Sequence, residues 1–356
     1  MKRYLVFLFC SVSFFCNGVC KVAIAQTPAK TGEKTAAQFH LAAAKAAAYR
    51  PGNDLTVLYD AVCEPALSEK GPVIPDPRAP GQTAPSLAQR RVPPRSEWYT
   101  EPAKVFDNMY YVGSNHDSTW AVMTSEGIIL IDSGYDYSAK ELITDGLKKL
   151  GADPAQIKYV ILSHAHGDRY FGAKYLQDTY HPHIIMSEAD WDVLPKSNEP
   201  NELKPKTDMS ATDGMKLTLG DTTLTLYITP GHTPATISTL VPLRDGNQRH
   251  VGAVWGGINP SYERYGVQYY PSLQETFKTW SASAARFQEI AAKSGADVYL
   301  TLHPFYDKAV DKIHALNFRE PGGPHPFVSK NNLNRFLTII KECTDAQLAR
   351  VSGNAE

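Results

Sequence analysis

Residues 161–172 read ILSHAHGDRYFG, in which two histidines and an aspartate occupy alternate positions. The apolar run 157–162 predicts a buried strand, so His164, His166 and Asp168 follow directly after its carboxyl end. An extended backbone at this point sends the three side chains to one side, and imidazole and carboxylate are good ligands for Zn²⁺. The spacing therefore predicts a metal site at the end of this strand.

Two further strands are predicted to end in a histidine. The apolar segment 225–228 is followed by TPGHTP at 229–234, which places His232 in a rigid turn. The segment 298–302 is followed directly by His303. Histidines at three strand ends can meet in one cleft that loops build on a rigid scaffold. We therefore predict that both histidines belong to the same metal site.

Short apolar segments typical of strands alternate with amphipathic segments typical of helices from residue 98 onward. The strands are predicted at 105–112, 119–124, 128–131, 157–162, 184–186, 216–219, 223–228, 237–241, 250–255 and 298–301. Ser138 is predicted to cap one helix, and the longest helix is predicted at 273–293. This interleaving of strands and helices predicts a layered α/β fold.

These motifs, in this order, resemble those of the metallo-β-lactamase superfamily. The resemblance runs from about residue 98 to residue 305 and includes LIDSG at 130–134, the histidine loop and the PGHTP turn. It implies an αββα four-layer sandwich that holds one or two zinc ions. The segments 229–234 and 276–303 resemble the lactamase subclass whose zinc ligands are only histidine and aspartate.

The resemblance implies a role for each predicted ligand. His164, His166 and His232 would hold the first zinc ion, and Asp168 and His303 would lie at the second. Three neutral imidazoles leave an open coordination position, where the pKa of a bound water falls to about 7. Asp168 is the residue predicted to orient this water and to shuttle its proton.

Arg169 departs from the pattern of that subclass, in which a histidine after the aspartate binds the second zinc ion. A guanidinium has no lone pair for a metal. A subclass that carries arginine here has a cysteine ligand, but no cysteine lies between Cys63 and Cys343, and 254–258 lacks the bridging aspartate of lactonase-like members. We expect one tightly bound zinc ion and a weak or partly occupied second site. Arg169 is predicted either to form an ion pair at the vacated position or to receive an anionic group of the substrate.

Other polar residues are candidates for supporting roles. Asp132 is predicted either to orient a ligand histidine or to serve only as a turn residue. His116 and Asp117 could supply a missing ligand or form a solvated loop. The loop after Gly257 holds four residues that are either candidates for substrate contact or ordinary loop residues: Asn259, Ser261, Tyr262 and Arg264.

The predicted function is hydrolysis of a β-lactam amide by zinc-bound hydroxide in a secreted enzyme. One alternative is a zinc hydrolase of the same fold that acts on a lactone, an ester or a phosphodiester. A second alternative is a degenerate metal-binding protein that uses the scaffold to bind a partner. Arg169 and the long N-terminal extension are the features that favour this second alternative.

The amino terminus predicts export. Lys2 and Arg3 precede the apolar run 4–15, and small residues stand at Ala23 and Ala25, as in a secretory signal that is cleaved after Ala25. The predicted organisation is a signal peptide at 1–25, an N-terminal extension at 26–97 and a catalytic domain at 98–356. The predicted location is the periplasm or the exterior of the cell.

The predicted extension combines a helical piece at 36–49 with a proline-rich extended segment at 71–95. After cleavage of the signal, Cys63 and Cys343 are the cysteines that remain. They are predicted either to form a disulfide between the extension and the C-terminal helix or to be two buried thiols.

The net charge of the chain limits which kinds of binding partner are expected. The formal net charge is −1 and the isoelectric point is about 6.8, so neither nucleic acid nor, once the signal is cleaved, a membrane is an expected partner. We expect a small-molecule substrate.

Overall fold

The computed structural model describes residues 35–50, 53–63 and 91–353. The predicted signal peptide and residues 71–90 of the predicted proline-rich segment lie outside these ranges. No helix within them is long and apolar enough to span a bilayer.

Helices of very different lengths surround the sheets. They are α1 (Ala36–Ala48), α2 (Thr56–Cys63), α3 (Arg95–Trp98), α4 (Asp136–Ala139), α5 (Gly146–Lys149), α6 (Gly167–Tyr170), α7 (Ala173–Tyr180), α8 (Glu188–Val193), α9 (Leu273–Lys293), α10 (Pro304–Asp307), α11 (Ala309–Leu316) and α12 (Lys330–Val351). A π-helical turn, Lys140–Asp145, joins α4 to α5, so the helix predicted to be capped by Ser138 begins earlier, at Asp136, and is not regular.

The strands form two large sheets and two small hairpins. The hairpins are β1 (Tyr49–Arg50) with β2 (Asn53–Asp54), and β14 (Glu263–Arg264) with β15 (Val267–Gln268). The first large sheet runs in chain order through β3 (Ala103–Phe106), β4 (Met109–Tyr111), β5 (Trp120–Thr124), β6 (Gly127–Ile131), β7 (Ile157–Ile161), β8 (His183–Ser187) and β9 (Met209–Ala211). The second is ordered β10 (Met215–Leu219), β11 (Thr222–Ile228), β12 (Ile237–Asp245), β13 (Gln248–Val254) and β16 (Val298–Leu300).

Three apolar clusters arrange these elements in four layers. In β6, Ile129 and Ile131 belong to the cluster between the two sheets, whereas Ile128 and Leu130 belong to the cluster beneath α4, α5 and α7. The alternation follows from the period of two along a strand. A third cluster packs α9 and α12 on the outer face of the second sheet. The predicted αββα sandwich is confirmed.

The N-terminal helices pack on the C-terminal helix α12. Ala44, Ala48 and Leu58 share an apolar cluster with residues of α12. Cys63 forms a disulfide with Cys343, with 4.9 Å between their Cα atoms. The extension is therefore joined covalently to the opposite end of the chain.

The predicted single strand at 105–112 is wrong, because the chain turns at Asp107 and Asn108 and forms two antiparallel strands, β3 and β4. The side chain of Asn108 is buried, donates to the carbonyl of Pro242 (2.9 Å) and accepts from the backbone of Arg244 (2.8 Å). These bonds to β12 hold the turn, and a strand pattern cannot show them.

Three loops meet at one edge of the sandwich. They follow β7, β11 and β16, the strands predicted to carry ligand histidines. The backbone of Ile237 donates to the carbonyl of Ser163 (2.8 Å), and that of Ser118 donates to the carbonyl of Leu302 (2.9 Å). The loops are thus bonded directly to neighbouring segments, which fixes the side chains that they carry.

Candidate metal centre

Asp132 fixes the start of the loop that carries His164 and His166. This residue adopts a left-handed φ of 62° and is fully buried. Its carboxylate accepts hydrogen bonds from the backbone (2.7 Å) and the hydroxyl (3.0 Å) of Ser163. Burial raises the pKa of Asp132 to about 6, against the opposing charge of Arg169. The predicted orientation of a ligand histidine by Asp132 is therefore indirect, through Ser163, whose hydroxyl lies 3.1 Å from Nδ1 of His164.

The three predicted first-site histidines come together and are buried. The other ring nitrogen of each has an oxygen partner: Nδ1 of His164 contacts the carbonyl of Gly256 (2.8 Å), Nδ1 of His232 contacts the carbonyl of Asn259, and Nε2 of His166 contacts the hydroxyl of Tyr269 (3.2 Å). Such contacts fix the ring orientation of metal-binding histidines.

The tautomers that these contacts select favour a bound cation. A carbonyl can only accept, so both His164 and His232 carry their proton on Nδ1. Their Nε2 atoms then carry lone pairs, and these two atoms lie 3.2 Å apart. Two nitrogens on one tetrahedral zinc ion, each about 2.0–2.1 Å from it, are separated by about 3.3 Å. The histidines therefore fit a single divalent ion.

The protonation state agrees with this fit. Burial lowers the pKa of His164 and His166 well below the usual value, and it lowers the pKa of His232 to about 3. Neutral imidazole is the form that binds a metal.

Asp190 joins two of the ligand loops and was not indicated by the sequence pattern. Its buried carboxylate accepts from the backbone of Ala165 (3.1 Å) between the first two histidines. It also accepts from the hydroxyl of Thr233 (2.7 Å) and the backbone of Ala235 (3.3 Å) in the turn of the third. In sequence it is an acidic residue in the first turn of α8, which is typical of any helix start.

A second group of ligand-type atoms lies beside the first and contains Asp117, Asp168 and His303. Here Nη2 of Arg169 lies 2.7 Å from Oδ1 of Asp117, 2.5 Å from Oδ2 of Asp168 and 3.4 Å from Nε2 of His303. The arginine is fully buried, and its Nη1 donates to the carbonyl of Leu302 (2.8 Å). The solvated loop predicted for Asp117 is wrong, because this aspartate is buried in an ion pair.

The ionisation of Asp168 and that of Arg169 depend on each other. Burial opposes the ionisation of Asp168, yet the charge of Arg169 holds the pKa of that carboxyl well below its usual range. Burial likewise opposes the charge of Arg169, but Asp168, Asp117 and Asp132 raise its pKa above the ordinary value. Asp168 and Arg169 are therefore both ionised at neutral pH, whereas the elevated pKa of Asp132 leaves a small protonated fraction of that carboxyl.

Comparison with known proteins places this geometry in a family. Residues 112–245 match the family model of the metallo-β-lactamase superfamily. Residues 112–245 therefore carry a domain of the metallo-β-lactamase superfamily. The predicted resemblance is confirmed.

Solved metallo-β-lactamases share the fold of the domain. A subclass B3 metallo-β-lactamase of Bradyrhizobium japonicum is 28% identical, with a TM-score of 0.60 over 72% of this chain and 97% of that one. A metallo-β-lactamase of Cronobacter sakazakii is 28% identical, with a TM-score of 0.59 over 70% and 95%. A metallo-β-lactamase of Legionella gormanii, 22% identical with a TM-score of 0.60 over 72% and 97%, supports the fold alone.

The metallo-β-lactamase domain has a cavity of about 430 Å³ over both groups of ligand-type residues. His116 lines it with an exposed side chain, and the backbone carbonyl of His116 contacts Nδ1 of His303 (2.9 Å). Asn259 also lines it. Ser261 is buried, and its backbone donates to Gly231, so its predicted contact with substrate has no support in the cavity lining.

Arg264 places a positive charge on the wall of the cavity. Its guanidinium lies 4.8 Å from the ring centre of Tyr265 and donates to the hydroxyl of that residue (3.1 Å). Within the part of the chain that the structure describes, no carboxylate lies within ion-pair distance of it. An arginine in this setting can bind an anionic group.

Proposed function

We propose that the protein is an exported, zinc-dependent hydrolase that opens the amide bond of β-lactams. The observation that carries this proposal is the pair of Nε2 lone pairs of His164 and His232, 3.2 Å apart, next to the buried ring of His166. A divalent ion held there would supply activation of water and polarisation of a carbonyl. The similarity to solved β-lactamases at 28% identity supports the choice of amide.

The chain's own residues would position the reactants. Asp168 lines the cavity, and its Oδ1 has no hydrogen-bond partner among the described residues, while Oδ2 is bound to Arg169. Because its pKa is held low, this carboxylate stays ionised and orients an attacking water through Oδ1 rather than retaining its proton. Arg264, which also lines the cavity, would bind the anionic group of the substrate.

Export is part of the proposal. The basic and apolar leader supports it, and a disulfide between Cys63 and Cys343 is typical of an oxidising compartment. The amino-terminal sequence of the protein recovered from periplasm or medium tests it, and we expect the mature chain to begin at Gln26.

The catalytic proposal is tested on the mature protein with a panel that contains a penicillin, a cephalosporin, a carbapenem, a lactone and a carboxylic ester. We expect β-lactam turnover that a chelator abolishes and added Zn²⁺ restores, and that is lost in His232→Ala. His314→Ala, which removes an exposed histidine of α11, is the matched control and should keep full activity.

Two results would count against β-lactam hydrolysis. Chelator-sensitive turnover confined to the lactone or the ester would assign the site to the alternative substrate class. Bound metal without turnover of any member of the panel would favour a binding role.

A further inference from the structure

We propose that the guanidinium of Arg169 takes the place of a second metal ion, so that the domain works with a single ion at its three histidines. The proposal rests on the proposed function only in requiring metal at His164, His166 and His232. Asp117, Asp168 and His303 present the atoms of a second cation site, but a cation of the chain itself already lies among them. These residues as they stand do not fit a second ion.

The position of Nη2 is the first argument. This nitrogen lies within hydrogen-bonding distance of both carboxylates and 3.4 Å from the imidazole of His303. It therefore contacts the same three side chains that would have to hold a second ion. Each carboxylate accepts a hydrogen bond from the guanidinium instead of binding a metal ion.

The anchoring of the guanidinium is the second argument. Nη1 of Arg169 donates to the carbonyl of Leu302 (2.8 Å) and lies 3.5 Å from Oδ2 of Asp132. The arginine backbone is also fixed, since its carbonyl accepts from the backbone (2.9 Å) and the hydroxyl (2.7 Å) of Ser133. A side chain with no exposed surface and bonds on several sides cannot swing out to admit an ion.

The charge balance is the third argument. Asp117, Asp132 and Asp168 surround Arg169, so loss of its single positive charge would leave three buried carboxylates without compensation. Removal of one partner from a buried ion pair is strongly unfavourable. The same burial rules out the predicted contact between Arg169 and an anionic substrate group, whereas Arg264 lines the cavity.

The experiment counts metal ions in the purified full-length mature protein and its variants, after equilibration with excess Zn²⁺ and removal of unbound ion. We expect about one ion per chain in the wild type and in Arg169→Lys, which keeps the charge. Arg169→His supplies a ligand and removes the charge, so we expect about two ions per chain. Adding His303→Ala to Arg169→His should return the count to about one.

Single variants of the wild type keep the proposal falsifiable even if Arg169→His does not fold. His303→Ala alone should leave about one ion, and His232→Ala should remove it. A wild type with about two ions, one of them lost in His303→Ala, would overturn the proposal. So would a folded Arg169→His, checked by circular dichroism, that binds only one ion. An absence of β-lactam turnover with one bound ion would refute the proposed substrate and leave the single-ion site in place.

Discussion

Asp190 shows how one side chain can set the geometry of ligands that it does not touch. It accepts hydrogen bonds from both the loop of His164 and His166 and the turn of His232. Burial raises its pKa to about 6, so it is mostly ionised at neutral pH and accepts strongly. Its contribution to metal binding should therefore lie in the spacing of the two loops.

We predict that Asp190→Asn weakens zinc binding by about 10- to 100-fold, the usual effect of losing an outer partner of a metal site. Asparagine keeps the size but turns one acceptor into a donor that faces a backbone N–H or the hydroxyl of Thr233. Zinc affinity measured by competition with a chromophoric chelator checks this. Asp192→Asn, at an exposed position of the same helix, is the control. Equal affinity in the two variants would show that Asp190 serves stability alone.

Some residues of the site could be predicted from the sequence and others could not. The histidines were predictable because strand ends supply them in a regular pattern. Asp117 was named as a possible ligand, but its burial was not predictable, because an aspartate between His116 and Ser118 is typical of a solvated loop. Its burial depends on an arginine that is 52 residues away in the chain. A contact between residues so far apart in the chain leaves no recognisable pattern in the sequence around either residue.

At the scale of elements, the N-terminal helices behave as part of the outer helical layer. Arg335 of α12 donates to the carbonyls of Ala47 (2.6 Å) and Ala48 (3.0 Å), in the last turn of α1, where carbonyls have no donor within the helix. The disulfide of Cys63 adds a covalent bond between α2 and α12. The helical pattern of α1 was readable from the sequence, whereas its docking surface on α12 was not.

We predict that the double variant Cys63→Ser/Cys343→Ser loses about 2–4 kcal/mol of unfolding free energy, because the bridge closes a long loop and restricts the unfolded chain. Neither α2 nor α12 contributes a residue to the cavity lining, so zinc stoichiometry should be unchanged. Denaturant unfolding of the oxidised wild type and the variant, together with metal analysis, tests both parts. A variant that loses its zinc while folded would mean that the extension supports the site directly.

At the scale of the whole molecule, the order of elements was enough to predict four layers. Continuously apolar strands such as β6 must bury both faces, so a second sheet covers one face and helices cover the other. The order of elements could not predict the buried ion pairs at the edge of the sandwich where the ligand loops meet. Those ion pairs depend on Arg169 and its three carboxylates, which come from loops after three different strands.

Buried carboxylates away from the metal centre should make the stability of the whole fold depend on pH. Asp307 is completely buried, accepts from the backbones of Thr301 (2.9 Å) and Ala309 (3.0 Å), and has its pKa raised by burial from 3.8 to about 6. Between these values the folded chain binds more protons than the unfolded chain, so the free energy of unfolding falls as pH rises. The decrease attributable to Asp307 is of order 2 kcal/mol between pH 4 and pH 7.

We predict that Asp307→Asn, which cannot titrate, loses this part of the pH dependence. Asparagine also removes one acceptor, at a cost of about 1 kcal/mol that does not vary with pH. The measured quantity is therefore the difference in unfolding free energy between wild type and variant at pH 4 and at pH 7. The wild type should lose stability relative to the variant as the pH rises. A difference that stays constant would mean that Asp307 remains ionised in the folded state down to pH 4, through its backbone donors and the charge of the neighbouring Lys312.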